Sequence, residues 1–214
     1  MKMLGIFGTS GFAREVSDIA KELGFQVLFI AKGEAERNAW AGTDDVVLEA
    51  DIFKYKDLVF SIGVGANLIR QKIALSFGKE LRFANLVHPS ATFGTGQRAA
   101  LDAKTGVIVC AGARFTNNID IGNFSVFYLN ATVGHDVIVD DFVYIAANAS
   151  ISGNVHIGER CWIGTGAVVN QGNPERKLQI GADTVIGSGS VVLRDCAANS
   201  VYIGVPAKQL NKDR

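Results

Sequence analysis

Neither sign of charge is in excess in this chain: 21 Lys and Arg face 21 Asp and Glu. The balance holds in both parts, 11 against 11 up to residue 85 and 10 against 10 beyond it. A basic footprint for nucleic acid is therefore missing. No stretch reaches the ~18 apolar residues that a membrane crossing needs, so no membrane insertion is expected. The apolar part of the segment Met1 to Gly8 is too short for a signal peptide, and a cytoplasmic chain is expected. Cysteine is scarce, with three in 214 residues and no CxxC pair, which closes no disulfide framework. Cys110 and Cys161 read as core thiols, and Cys196, next to Asp195, is expected nearer the surface. The three histidines, His88, His135 and His156, are widely spaced, so no metal site is expected.

What the chain does have is a period of six. Val109, Phe115, Ile121, Phe127, Val133, Val139, Ile145, Ile151, Ile157, Ile163 and Val169 are eleven successive apolar sites. Two residues before each stands a second apolar or small residue, from Val107 and Ala113 through Ser125 to Cys161 and Ala167. Gly or a small residue often follows, as at Gly122, Gly134, Gly158 and Gly164. Six matches neither a helix face at 3.6 nor a long strand at 2. It suits short strands joined by tight turns, stacked so that the main sites form one inward column. The phase breaks at 170–179 and resumes at Ile180, Ile186 and Val192. This pattern resembles the hexapeptide-repeat left-handed β-helix, and the resemblance supplies the handedness and the triangular coil. A β-sandwich, with strands every 8–12 residues or so, would drift against this period.

Residues 1–85 follow another grammar. Leu4–Phe7 is an apolar strand ending at Gly8-Thr9-Ser10-Gly11. A helix with Val16, Ile19, Ala20 and Leu23 on one face stops at Gly24. Strands are expected at Val27–Ile30, Val46–Leu48 and Leu58–Val64, and a second long helix from Asn67 to Phe77, with Ile69, Ile73 and Phe77 inward. Strand, Gly loop, helix, strand predicts a small parallel, Rossmann-like α/β domain. Leu86 to Ala91 reads as the first hexapeptide of a second domain, residues 86–214. Residues 92–106 break the pattern, and the tail after Pro206 is expected to fold back as a cap.

The Gly8–Phe12 loop joins a strand to a helix N-terminus, where backbone N–H groups favour a phosphate. The full Gly-x-Gly-x-x-Gly is missing and Ala31-Lys32 follows the second strand, so NAD is a poor fit. His135, in Gly134-His135-Asp136, lies two residues past inward Val133 and points outward. An imidazole can act as a base near neutrality, with Asp136, Asp140 or Asp141 as the supporting acid. Spacing leaves a solvated turn histidine equally open. His88 and His156 read as structural and surface residues.

Taken jointly, several motifs carry a sharper likeness: the Gly8–Phe12 loop, Ile62-Gly63-Val64-Gly65 with Arg70, Val87-His88-Pro89-Ser90-Ala91, Val133–Asp136 and Gly204-Val205-Pro206-Ala207-Lys208. With these the chain resembles the bacterial nucleotide-sugar acetyltransferases of the bacillosamine and sialic-acid O-acetyltransferase group. That resemblance implies an acetyl-CoA-dependent N-acetyltransferase acting on a UDP-linked 4-amino-sugar in glycan precursor synthesis, working as a homotrimer. It puts Ser10, Gly11, Phe12 and Gly65 on the nucleotide sugar, His135 as base and Asp136 as its support. Tyr144, Gly153, Thr165 and Ser188 fall on the acetyl-CoA side. Phe12 stands where many relatives have His, Ala31-Lys32 replaces an acidic pair, and Tyr144 stands for a second His. Alternatives are another nucleotide sugar such as GDP-perosamine, a hydroxyl acceptor, or a non-catalytic trimeric scaffold. A γ-type carbonic anhydrase would need three gathered histidines.

Overall fold

The computed structural model describes residues 2–210. The first unit alternates strand and helix: β1 Lys2–Phe7, α1 Gly11–Glu22, β2 Phe25–Ala31, α2 Glu34–Asn38, β3 Val46–Leu48, β4 Val59–Ile62, α3 Asn67–Phe77 and β5 Arg82–Phe83. The five strands are parallel in the order β3-β2-β1-β4-β5. Chain order reverses between β1 and β4, and the crevice outside the carboxyl ends of such strands is where α/β sheets take ligands. Gly8, just past β1, has φ +95, which only glycine adopts cheaply. Gly63, past β4, meets α1 so closely that a Cβ would lie 2.6 Å from the Ala13 Cα.

From Leu86 on, the chain winds into coils with three sheets. Face I runs from Leu86–Val87 to Lys208–Gln209, face II from Thr92–Phe93 to Val191–Val192, and face III from Asp120–Ile121 to Leu178–Ile180. Val126 pairs with Ile108 below and Tyr144 above, so one coil is 126 − 108 = 18 residues, or three hexapeptides. All eleven predicted inward sites lie in one buried column. The glycines after them serve stacking. A Cβ on Gly122, Gly134, Gly158 or Gly164 would come within 2.7 Å of backbone in the next coil. The left-handed corner residues fall two positions later, at Asn118, Phe124, Asn130, Asp136 and onward.

The break in phase is an insertion. Val155 pairs with Leu178, and 178 − 155 = 23, five residues more than a regular coil. Residues 92–106 are more ordered than their pattern implied. Thr92–Phe93 pairs with Arg114–Phe115, and helix α4, Gln97–Asp102, stands where a face III strand would run. The Gln97 side-chain amide stands in for that strand by bonding both the N–H (2.9 Å) and the carbonyl (2.7 Å) of Ile119. The tail does fold back, with Lys208–Gln209 antiparallel to Val201–Ile203.

Three expectations about burial need correcting. Leu23 closes α1 at 39% exposure, because the chain leaves the sheet there. Ile69 is 53% exposed, since the inner face of α3 is Asn67, Arg70 and Ala74. Cys196 is buried, bridged to Ile180, and its thiol is pushed up to about 11 by burial.

The α/β unit packs on face I. Leu86, Ile108, Val126 and Tyr144 point outward from that face into one cluster with Leu4, Ile6 and α1. At one edge of face I, α3 is stapled to the coils by polar groups. Arg70 is fully buried and donates to the carbonyls of Gly65 (2.9 Å), Phe124 (2.8 Å) and Phe142 (2.7 Å), and to the Asn67 side chain (2.8 Å). Asn67 in turn donates to the Arg160 and Cys161 carbonyls. Among the described residues no carboxylate pairs with Arg70, and burial lowers its guanidinium to about 10.

Candidate active site

The corner between faces II and III carries His135. Val133 turns into the column, Gly134 passes under the next coil, and Asp136 takes φ 58 at the bend. The His135 side chain stands outside, 47% exposed, with Nδ1 2.7 Å from Asp136 Oδ2. Asn118, at the same corner one coil below, donates to the other carboxylate oxygen, and the Lys177 ammonium donates to the Asp136 carbonyl. The hydrogen bond from His135, then that from Asn118, holds the Asp136 carboxyl below its ordinary range. An Nδ1–H donated to a carboxylate leaves Nε2 as the free lone pair of a neutral imidazole. The other two candidate supports are used elsewhere: both Asp140 oxygens lie 3.1 Å from His156 Nε2, and Asp141 Oδ1 accepts from the Asn123 N–H at 2.6 Å.

Gly153 lies one coil above, at the same corner. A Cβ there would come 2.6 Å from His135 Cε1 and Nε2, so the ring rests on bare backbone. The Gly153 N–H has no acceptor among the described residues. A half-exposed imidazole and, on the buried glycine beneath it, an amide donor without an acceptor among the described residues thus share one corner. That pairing can take a proton from a nucleophile and support a developing oxyanion.

Thr165 and Ser188 occupy the corner between faces I and II, both exposed and in adjacent coils. Gly189 N donates to the Thr165 carbonyl at 2.8 Å. They therefore bound the same face II that His135 and Gly153 bound at its other edge. Tyr144 does not join them. It takes the outward position of a face I strand, 5% exposed, stacked on Trp162 at 4.2 Å and edge-on to Phe12 at 5.7 Å. Face I is the side that the α/β unit covers, so Tyr144 lies beneath that unit, and its burial raises the phenol out of its ordinary range.

Ser10, Gly11, Phe12 and Gly65 are brought together at the switch point. Ser10 is extended at the N-terminus of α1 and makes no side-chain cap. A Cβ on Gly11 would meet only Arg14 Nη2, at 3.8 Å. Phe12 lies on Tyr128 and Tyr144, and Gly65 faces Tyr144 from the β4 side. Beside this loop opens a cavity of about 280 Å³ with Phe7, Ile30 and Phe77 in its wall and Lys32, Glu36 and Glu49 among its polar groups. Glu36 is engaged by Thr9 N (3.0 Å), Thr9 Oγ1 (2.7 Å) and Lys32 N (2.8 Å). Glu49, half-buried, has no partner among the described residues.

Asn118, Lys177, Glu36 and Glu49 escaped the sequence reading. Asn118 was reachable, since 136 − 118 = 18 puts it on the Asp136 corner. Lys177 lies in the insertion, where no period holds. Among the described residues no group of His, Cys, Asp and Glu is placed to hold a metal, and no helix is long and apolar enough to cross a membrane.

Comparison with known proteins agrees with this layout. Residues 3–77 match the PglD N-terminal domain model. A GDP-perosamine N-acetyltransferase of Escherichia coli O157:H7 is 27% identical over 99% of this chain and 98% of its own length. Among solved structures, PerB from Caulobacter crescentus, in complex with CoA and GDP-perosamine, superposes with a TM-score of 0.86 at 27% identity, covering 99% of this chain and 98% of that one. The acetyltransferase domain of PglB from Neisseria gonorrhoeae does so with a TM-score of 0.85 at 26% identity, over 98% and 100%. The likeness runs through both units and the junction between them: the chain is an acyltransferase that carries a PglD N-terminal domain and is similar over nearly its whole length to bacterial nucleotide-sugar N-acetyltransferases.

Proposed function

We propose that this chain transfers the acetyl group of acetyl-CoA to the amine of a nucleotide-linked 4-amino-sugar, with His135 as general base. The observation that carries the proposal is the corner where the free Nε2 of His135 stands beside the unpaired Gly153 N–H. A thioester is already activated, so the reaction needs placement, a base and an oxyanion donor rather than a protein nucleophile. His135 takes the proton as the amine attacks the thioester carbonyl, the Gly153 N–H supports the tetrahedral oxygen, and the thiolate leaves. Asp136 holds the imidazole in the right tautomer. Thr165 and Ser188 flank the path of the pantetheine arm along face II.

Ser10, Gly11 and Phe12 take the diphosphate end at the α1 N-terminus, with Gly65 opposite. For the base, the full-length relative named for GDP-perosamine favours a GDP-linked sugar over the UDP-linked one implied by the resemblance. The free Glu49 carboxylate beside the cavity suits the paired N–H donors of guanine. We take the coils to wind left-handed, the domain boundary to lie at residue 85, and the enzyme to work as a cytoplasmic homotrimer. Support for the trimer is geometric. Face I lies opposite the corner between faces II and III, so the nucleotide loop and His135 of one chain sit on opposite sides of the prism. A second copy brings them together.

The test is thiol release from acetyl-CoA across GDP- and UDP-linked amino-sugars. Turnover with a GDP-linked 4-amino-sugar, lowered by a factor on the order of 10²–10⁴ in His135→Ala, is expected. Release with no member of the panel would sink the assignment, and full activity of His135→Ala would remove its base.

A further inference from the structure

The five-residue insertion ends against the His135 corner. Ile138 pairs with His156 and His156 with Gln179, so Lys177 belongs two coils above Asp136. Strands in a sheet lie ~4.8 Å apart, and two coils span ~9.6 Å. A backbone group in a regular coil bonds only to the coil next to it. The insertion overcomes this by leaving the coil and returning. Gly172 N is tied to the Gly153 carbonyl at 3.1 Å and Leu178 N to the Asn154 carbonyl at 3.0 Å. Between them a turn closes from Asn173 to Arg176, with the Arg176 N–H 2.8 Å from the Asn173 side chain. Lys177 is thereby held half-buried, its ammonium on the Asp136 carbonyl.

We propose that Lys177 is a positioning residue for the transfer: held on the Asp136 carbonyl, its ammonium sets a positive charge beside the His135–Asp136 pair, keeping His135 a neutral base at lower pH than the pair alone would allow. The inference rests on His135 being the base. Asp136 favours the imidazolium, and an imidazolium cannot accept the amine's proton. A nearby cation opposes that effect. The groups around the pair are few: Asp136 and Lys177 are charged, Asn118 and the Gly153 backbone are neutral, and Asp120 stands across a trough of about 550 Å³ shared by Asp136 and Lys177.

The experiment reads the His135 imidazole directly, by NMR titration of the full-length assembled protein, beside the pH profile of kcat. Lys177→Met should raise the titration midpoint by about half a pH unit. It should lower kcat by about threefold on the acid limb, well below the midpoint, while leaving it almost unchanged at pH 8.5. Lys177→Arg should restore both. Deletion of residues 173–177, which returns the coil to 18 residues, should match Lys177→Met. An unmoved midpoint, or a loss of kcat equal at all pH values, overturns the proposal. Should His135→Ala keep full turnover, the base assignment falls, and the NMR midpoint still reports whether Lys177 acts on the imidazole.

Discussion

His135, Asp136 and Gly153 answer different questions, and single substitutions separate them. His135→Ala is expected to lower kcat by a factor on the order of 10²–10⁴ without disturbing assembly, because the side chain lies outside the column. Asp136→Asn tests the tautomer and the charge together. Asparagine tolerates the left-handed backbone at φ 58, so the corner stays intact. Because Asp136 titrates below the ordinary carboxylate range, it remains charged across the range in which an imidazole ordinarily takes up its proton. The acid limb of activity therefore follows the imidazole. Removing the carboxylate destabilises the imidazolium, so in Asp136→Asn that limb should move to lower pH as the plateau falls. A limb that stays put would mean the 2.7 Å contact has no electrostatic consequence. Gly153→Ala is the sharpest of the three. Its methyl would meet the His135 ring at 2.6 Å, and a half-exposed ring can swing aside at little cost in stability. Thermal melting should barely change while kcat drops at least tenfold, about the effect of misplacing a base. Equal kcat would show that the ring is free to sit elsewhere during the reaction.

At the level of elements, α3 and the hexapeptide corners are joined through Arg70. Replacement by Met would leave the carbonyls of Gly65, Phe124 and Phe142 without their donor in a buried seam. A loss of about 3 kcal/mol is expected by chemical denaturation, within the range for breaking a buried polar network. A loss below about 0.5 kcal/mol would show that water replaces the guanidinium without penalty. The pH dependence has a definite sign. The folded value of about 10 lies below the ordinary 12.5, so between them the unfolded chain binds more protons and Arg70's contribution rises with pH. Below that window both states are charged and its contribution is flat. Helix α3 also shows what amphipathic reading misses. Its apolar Ile69 faces solvent while Asn67 and Arg70 are buried, because the surface it meets is a row of corner carbonyls rather than an apolar face.

For the whole molecule, the decisive prediction concerns which chains cooperate. The Gly8–Phe12 loop, proposed to hold the nucleotide, and His135 of one chain lie on opposite sides of the prism, so the active site is expected between copies. Gly11→Val should raise the sugar-nucleotide KM with little effect on melting, as a side chain there meets only the far end of Arg14. Mixed and reassembled, Gly11→Val and His135→Ala chains should recover a fraction of wild-type turnover, since some interfaces then pair an intact loop with an intact base. No recovery from an assembled mixture, or a monomer by light scattering, would refute a shared site. The β-helix was legible in the sequence to the residue, because a column buried in every coil imposes its period on every sixth position. His135 and its outward direction followed from that register, and Asn118 lay one coil away in the same arithmetic. The rest was settled by contacts the register does not encode. Which face the α/β unit covers placed Tyr144 beneath it, the fit of α3 against corner carbonyls buried Arg70, and the insertion carried Lys177 across two coils to Asp136. Periodic burial writes itself into local sequence, whereas contacts between segments far apart in the chain depend on three-dimensional placement that no local pattern records.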